Sequence, residues 1–327
     1  MLCDLLYFKK SQYYFLYQQA EKVLSENNNL DTVIISGTPF HSFAIGYYLK
    51  LKFPRIDWFP DYRDQWNTHP YADQKSILRK SIVFLEKKKE KHWISNAKRF
   101  ITVSENWKDR ISVFTGIEGL VVKNGFDFDP SEIKSVKVPR KAHKLVISYV
   151  GTLYPYQNIY FLLDVVKKLI VENQLNIYIN FVGINALENH EKKIKERYPM
   201  IIDNFCFYER LPVSDIKSIY NQSDLLWLTS FENMKGWYPV KLFDYAKQGI
   251  PILLYPSDND VMQKFIESGS VGKSFQNEIE ISSFLKGILN CEHPYSVNTN
   301  VEGLNEFTRE YQTKQLSEQI HEICKYS

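Results

Sequence analysis

KLVISYVGTLYPYQNIYFLLDVVKKLIVENQLNIYINFV, residues 144–182, decides the fold. A β-branched run at 144–150 ends at Gly151, an apolar stretch with helical spacing covers 158–172, and a second β-branched run follows at 176–182. A strand, a helix and a strand of these lengths make a parallel pair, because parallel neighbours need a long crossover and cannot be joined by a hairpin. The same alternation continues outward. Strands are predicted at 203–208, 224–229 and 251–254, with helices at 186–197, 213–221 and 239–248. Upstream, strands are predicted at 32–36, 56–59, 99–103 and 119–122, with amphipathic stretches at 41–52, 75–95 and 105–114. Repeated strand–helix units imply an α/β fold whose parallel sheets are covered on their faces.

With 327 residues and 44% hydrophobic residues the chain has enough material for two cores. The segment DPSEIKSVKVPRKAH, 129–143, carries two prolines and no sustained apolar period, so it is read as the seam between two Rossmann-like domains. The expected division is 1–140, 141–302 and a terminal helix at 303–327 that returns to the first domain. A helix-like stretch precedes the strand at residue 32, where such a domain ordinarily opens on a strand and a glycine-bearing loop. An initial piece of the pattern is therefore read as lacking.

Composition excludes several classes. Forty-one lysines and arginines against 38 acids leave a net charge of +3, too balanced for a dedicated nucleic-acid binder. The four cysteines, Cys3, Cys206, Cys291 and Cys324, are scattered without CxxC spacing, which argues against a disulfide framework or a zinc site. The seven histidines form no ligand spacing, so no metal is expected. No apolar run is long enough to span a bilayer and the N-terminus is not a secretory signal, so the chain is expected to be cytoplasmic. Charge is uneven, with residues 1–143 at +7 and 144–327 at −4. The excess gathers in 75–99, where nine basic residues stand against two glutamates. A solvated helix face is the plain reading of such a run. The sharper one is a surface for anionic lipid headgroups, since Ile77, Ile82, Phe84, Leu85 and Trp93 accompany the lysines.

Four constellations have the composition for chemistry. YVGTLYPYQN, 149–158, lies between a strand and a helix. Gly151 at the strand end permits close backbone approach, and helix N-terminal amides favour a phosphate. It is neither GxGxxG nor a Walker loop, which argues against a dinucleotide dehydrogenase or P-loop ATPase. GWYPVKLFDYAKQGIP, 236–251, places Lys241 and Asp244 three apart on one helix face near its start. A cation there suits a diphosphate and the carboxylate suits vicinal ribose hydroxyls; the alternative is a surface ion pair of little worth. PDYRDQW, 60–66, clusters Asp61, Arg63 and Asp64 after a strand, at the usual ligand edge, where the alternative is an internal salt-bridge network. Finally, Ser104 ends a strand and Asn124-Gly125 has the composition of a turn.

The segments TVIISGTPFHS, DYRDQW, ITVSENW, VVKNGFD, ISYVGTLYPYQN, YPVKLFDYAKQGIPIL and the terminal FTREYQTKQLSEQIHEI occur in an order and spacing that resembles the bacterial GT-B glycosyltransferases of glycosyltransferase family 4. That resemblance implies two Rossmann-like domains facing each other across a cleft, the second binding a nucleotide diphosphate sugar. It matches Gly151 and Thr152, with Gln157 and Asn158, to the donor-phosphate loop, Lys241 to a lysine near the diphosphate, and Asp244 to the acid on the donor ribose. Arg63, Asp64, Ser104, Asn124 and Gly125 match loops lining the cleft. Lys241, Arg63 and Asp64 are the candidate catalytic residues. The implied reaction is sugar transfer to a hydroxyl acceptor, a polysaccharide or lipid-linked glycan of the capsule or lipopolysaccharide kind, with retention and without a cofactor, at the inner face of the cell membrane. Departures from the family pattern are Gly236 in place of the first acid, with Glu232 nearby, Asp in place of Glu at 244, and Thr152 and Gln157 in place of donor-loop cations. They sustain an alternative from another class: a non-catalytic binding subunit of a glycan-assembly complex. A sugar-nucleotide epimerase of similar fold is disfavoured, because no paired carboxylates and histidines are found.

Overall fold

A computed structural model describes residues 6, 8–69, 77–141, 143–290 and 295–325, with residues 77–79 described for their backbone alone. The chain divides into two compact units, residues 1–124 with 309–327, and residues 125–308.

The first unit runs α1 (Gln12–Glu26), β1 (Thr32–Gly37), α2 (Phe43–Lys52), β2 (Asp57–Tyr62), α3 (Ile77–Ile94), β3 (Phe100–Thr102), α4 (Glu105–Thr115), β4 (Gly119–Val121) and, from the C-terminal end, α12 (Arg309–Lys325). Its four strands are parallel in the order β1-β2-β3-β4. One apolar cluster joins Ile45, Tyr48 and Leu49 of α2 to Tyr17 and Leu24 of α1 and Trp93 of α3. Another joins Phe59, Ile101, Leu120 and Val122 to Leu316, Ile320 and Ile323 of α12. Gly46 lets α2 press on the sheet, since a Cβ there would lie 2.1 Å from the Trp58 ring. Strand β2 passes through Pro60, where the sequence predicts a stop. Pro60 has no N–H to give, and the pairing of β2 with β3 covers only Asp61 and Tyr62 beyond it.

The second unit carries β5 (Leu145–Val150), α5 (Tyr160–Val171), β6 (Ile177–Val182), α6 (His190–Arg197), β7 (Phe205–Tyr208), α7 (Val213–Gln222), β8 (Leu225–Leu228), α8 (Val240–Lys247), β9 (Ile252–Leu254), α9 (Val261–Ser268), β10 (Gly272–Ser274), α10 (Glu278–Asn290) and α11 (Val301–Asn305). Its six strands are parallel in the order β10-β9-β8-β5-β6-β7. Two cores flank the sheet, one with α5 and α10, the other with α8 and α9. β10 was invisible to the sequence reading, because GKS has no β-branched run.

Two expectations are corrected. The stretch 129–143 is no seam. Val138 exchanges backbone hydrogen bonds of 2.7 Å with Tyr295, Val136 N donates to Gly249 O at 2.9 Å and Arg140 N to Asp224 Oδ1 at 2.6 Å, all inside the second unit. The division falls at 124/125 and 308/309 instead, so α11 belongs to the second unit and α12 to the first. The stretch 75–99 is also not a uniform solvated face. Residues 75 and 76 and the side chain of Ile77 lie outside the described residues. Trp93 is 1% exposed, so it serves the core and no outer surface, and Glu90 is fully buried. Ile82, Phe84 and Leu85 remain exposed, at 53%, 56% and 58%. Among the described residues no helix is long and apolar enough to cross a membrane.

Candidate functional site

The strand order of the second unit fixes where a ligand site belongs. From β5 the chain moves one way through β6 and β7, then returns to the other side through β8, β9 and β10. The loops at the carboxyl ends of β5 and β8 therefore part at a topological switch point, the crevice that open parallel sheets use for ligands.

The loop after β5 starts at Gly151, whose φ of +116° is a conformation that side-chain-bearing residues rarely adopt. Gly151 N donates to Val182 O at 2.9 Å, anchoring the loop to β6. A Cβ at this position would lie 3.6 Å from both Cε and Nζ of Lys241, so the lysine lies directly over the glycine. Lys241 stands in the first turn of α8, which begins after Pro239. Its Nζ donates to Tyr149 Oη at 2.8 Å and to Thr152 O at 3.1 Å. It also lies 4.2 Å from the centroid of the Tyr149 ring. Burial lowers the pKa of this amine to about 7. Both of these hydrogen-bond acceptors are neutral, and no ion pair joins Lys241 to Asp244.

Gln157 and Asn158 build the loop. Gln157 Oε1 accepts from Tyr154 N at 3.0 Å and from Tyr149 Oη at 3.4 Å, and its Nε2 donates to Thr229 O at 3.0 Å beyond β8. Asn158 Oδ1 accepts from Tyr160 N at 3.0 Å, at the start of α5. Tyr245, one turn beyond Lys241, accepts from Val150 N at 2.7 Å and donates to Val150 O at 3.1 Å, clamping α8 to the end of β5. Asp244 is exposed and interacts electrostatically with Tyr220 of α7; burial raises its pKa, opposed by Lys247. The structure thus brings Gly151, Thr152, Gln157 and Lys241 together, and the Asp244 carboxylate makes no hydrogen bond or ion pair with any of them.

In the first unit the outcome differs. Asp61 is buried, and its Oδ2 accepts from Ser36 Oγ at 2.8 Å and from Arg63 Nε at 3.0 Å. Arg63 Nη1 donates to Val122 O at 3.1 Å. Arg63 thereby ties the carboxyl ends of β1, β2 and β4 together from within. Asp64 is exposed and acts electrostatically on His69, whose pKa burial lowers. Ser104 caps α4, its Oγ accepting from Trp107 N at 3.4 Å, and it is buried. Asn124-Gly125 makes no turn. Neither residue has a positive φ, because the pair carries the chain from one unit into the other.

Sequence reasoning missed Tyr149 and Tyr245, since a tyrosine in a strand or on a helix reads as core until its hydroxyl is located. It also missed Glu90, counted among the charges of a basic run. Glu90 accepts from Tyr62 Oη at 3.0 Å and from Asn67 Nδ2 at 2.7 Å, and burial raises its pKa to about 7. Among the described residues no three His, Cys, Asp or Glu side chains gather as a metal site.

Two Rossmann-like units, the second with its polar loop at the switch point, define a protein of the GT-B glycosyltransferase fold. Residues 130–296 match the model of the glycosyl transferases group 1, and the chain belongs to that family. The apo lipopolysaccharide outer core galactosyltransferase WaaB is similar, with a TM-score of 0.61 and 18% identity over 95% of this chain and 79% of that one. A glycosyltransferase from Rickettsia africae gives a TM-score of 0.59 and 15% identity over 97% of this chain and 83% of that one. Anabaena HepE in complex with UDP-glucose gives 0.56 and 14% over 94% and 82%. No curated protein sequence matches the chain.

Proposed function

We propose that this protein transfers a sugar from a nucleotide diphosphate sugar to a hydroxyl acceptor, a polysaccharide or lipid-linked glycan, with retention at the anomeric carbon. One observation carries the proposal: a half-buried amine, Lys241, drawn over a positive-φ glycine at the switch point and held on neutral acceptors. Membership of the group 1 family and the fold shared with HepE, whose structures hold UDP and UDP-glucose, support it.

The difficult event is departure of the nucleoside diphosphate while positive charge develops on the sugar. Fixed positive charge at the leaving group lowers that barrier, and it is worth most in a site from which water is excluded. Lys241 supplies the charge. Gly151 admits the phosphate close to the backbone, and Gln157 and Asn158 hold the loop in shape. Asp244 would take the ribose hydroxyls. The leaving phosphate itself accepts the acceptor's proton, so no protein base and no metal are required. Asp64 would act on the acceptor side, with Arg63, Ser104, Asn124 and Gly125 holding the supporting loops. Exposed Ile82, Phe84 and Leu85 beside Lys80, Lys87 and Lys88 on α3 support docking on an anionic membrane surface, where a lipid-linked acceptor would be found. Sedimentation with phosphatidylglycerol vesicles, lost in a Phe84→Ser, Leu85→Ser double variant, tests that surface.

Thermal-shift measurement with UDP, GDP and their hexose conjugates tests the main proposal. Stabilisation by one diphosphate series is expected, and its absence in folded protein would refute donor binding. A second reading, a non-catalytic binding subunit, draws support from Gly236, which stands where the family's first acid is expected and whose N–H is taken by Asp260 Oδ2 at 2.6 Å. Nucleotide binding without sugar transfer to any glycan acceptor would select it.

A further inference from the structure

The first sheet ends on one side at β1 and on the other at β4, and the second ends at β10 and β7. β4 and β10 are three residues long, and Lys273 stands at the centre of β10. β7 has four residues, with Lys195 drawn over its Phe207 ring at 5.5 Å. Short edges and lysines are devices that keep sheet edges from pairing with other chains. β1 has neither. It is six residues long, TVIISG, and no Asp, Glu, Lys or Arg occurs from Thr32 to Leu49.

The backbone shows which residues of β1 face outward. Asp57 N donates to Asp31 O at 2.6 Å, and β1 then runs in parallel register with β2 from Thr32 opposite Asp57 to Gly37 opposite Tyr62. Successive residues of a strand point their N–H and C=O groups to alternate sides. Asp31, Val33, Ile35 and Gly37 therefore face β2, and Thr32, Ile34 and Ser36 face away. Among the described residues no strand pairs with that outer side. The side-chain bond to its backbone, from Ser42 Oγ to Ser36 O, is long at 3.4 Å. Val33 and Ile35 pack on the core shared with α1 and α2, whereas Ile34 is 44% exposed and Ser36 is exposed.

We infer that this edge pairs with the same edge of a second copy of the chain, antiparallel about a two-fold axis at Ile34. The outward residues are spaced evenly about Ile34, so Ile34 meets its counterpart and Thr32 of each copy meets Ser36 of the other. Each of these pairs exchanges two hydrogen bonds, about six in all, toward the lower end of the roughly five to fifteen that specific interfaces carry. Between them Val33 lies opposite Ile35, a β-branched pair that favours neighbouring strands. Charge selects a second copy over an unrelated strand. At a two-fold axis every group near the axis meets itself, so a charge there would repel its own copy. The uncharged run from Thr32 to Leu49 meets that requirement, and it offers no counter-charge by which a charged foreign strand would be chosen. The pairing involves the first unit alone and does not depend on the donor reading.

Sedimentation equilibrium over a dilution series of the full chain tests the pairing in wild type, Ile34→Val and Ile34→Lys. Wild type is expected to form a dimer, Ile34→Val to keep it, and Ile34→Lys to weaken it about tenfold or more, since two like charges then face each other at the axis. Ile34 is exposed in the single chain, so the lysine variant should melt as wild type does at a dilution where both are monomeric. Oxidised Ile34→Cys should give a covalent dimer, whereas Val113→Cys, at a position 88% exposed on α4, should not. A wild type that stays monomeric throughout the series, a dimer untouched by Ile34→Lys, or equal cross-linking from positions 34 and 113 would overturn the inference.

Discussion

Arg63 and Lys241 are both cations at the carboxyl ends of parallel strands, and their surroundings are opposite. Arg63 has a carboxylate, Asp61, at 3.0 Å and a carbonyl, Val122 O, at 3.1 Å. Its charge is compensated inside the fold, and the pair holds three strand ends together. The acceptors of Lys241 are a phenol and a carbonyl, and burial without a counter-ion takes its pKa down to about 7. A cation withdrawn from water without an anion is costly unless it loses its proton or gains a partner. The contrast separates two settings of positive charge: one is compensated inside the fold, and the other has no counter-ion and is the one that the proposed function assigns to a negative ligand.

The largest effect expected from this contrast is in Lys241→Ala. Sugar transfer should fall by about 10² to 10³, the magnitude attached to losing one preorganised charge-stabilising donor. Thermal stability should be nearly unchanged, because the loss of two hydrogen bonds to neutral acceptors is offset by relief of the amine's desolvation cost. Steady-state turnover beside a melting curve checks both halves, and unchanged turnover in folded protein would take Lys241 out of the role.

Next in size is the pH dependence of nucleotide binding. The free protein's amine loses its charge as pH rises through about 7, so diphosphate affinity should fall above that value, by up to about tenfold per unit of pH. Stability moves the other way. Between about 7 and the ordinary lysine value of 10.5 the unfolded chain binds the extra proton, so this site adds stability as pH climbs through that window and adds none below it. Calorimetric titration with UDP from pH 6 to 9 should give the affinity slope in wild type and a flat line in Lys241→Met.

Arg63→Ala should do the converse of Lys241→Ala. Leaving Asp61 buried without its cation is expected to cost about 1–3 kcal/mol of stability, measured by urea unfolding, with UDP affinity within twofold of wild type. A large loss of UDP affinity with intact stability would erase the distinction between the two cations.

The smallest effect concerns Glu90, the buried charge of the first unit that has no cation among its hydrogen-bond partners. Its pKa rises from 4.5 to about 7, so the folded state holds the extra proton between those values. That stabilisation is complete below about 4.5 and is lost as pH rises through 7. Glu90→Gln should therefore cost about 1–2 kcal/mol at pH 5 and be more stable than wild type by about 1 kcal/mol at pH 9, because wild type loses about 1.4 kcal/mol per pH unit between 5 and 7. The gain is small because the new amide opposes the amide of Asn67, already donating at 2.7 Å. Equal melting temperatures at pH 9 would contradict it.

Much of the fold was legible because its signals are local. β-branched runs and glycine punctuation marked four strands of the first sheet and five of the second, and strand–helix alternation required them to be parallel. Gly151 was legible as a close-approach glycine, and Lys241 and Asp244 as neighbours on a helix. Pro60 misled because a proline in a strand is judged by which edge it faces, and sequence carries no edges. The seam at 129–143 misled for a related reason: its prolines and lysines read as a linker, whereas Val138 is a pairing residue whose partner, Tyr295, lies far along the chain.

The amino-acid sequence by itself determined the α/β class, the strand series and the residue types gathered after β5 and around Pro239. Only the tertiary structure decided which charges are spent and which are held in reserve. That Arg63 has a counter-ion and Lys241 none, that Tyr149 and Thr152 receive the amine, and that Trp93 and Glu90 face inward all depend on what comes within a few ångströms. Electrostatics and desolvation act over such distances in space. Spacing along the chain reports them only for residues a turn apart, and Lys241 and Tyr149 are separated by 92 residues.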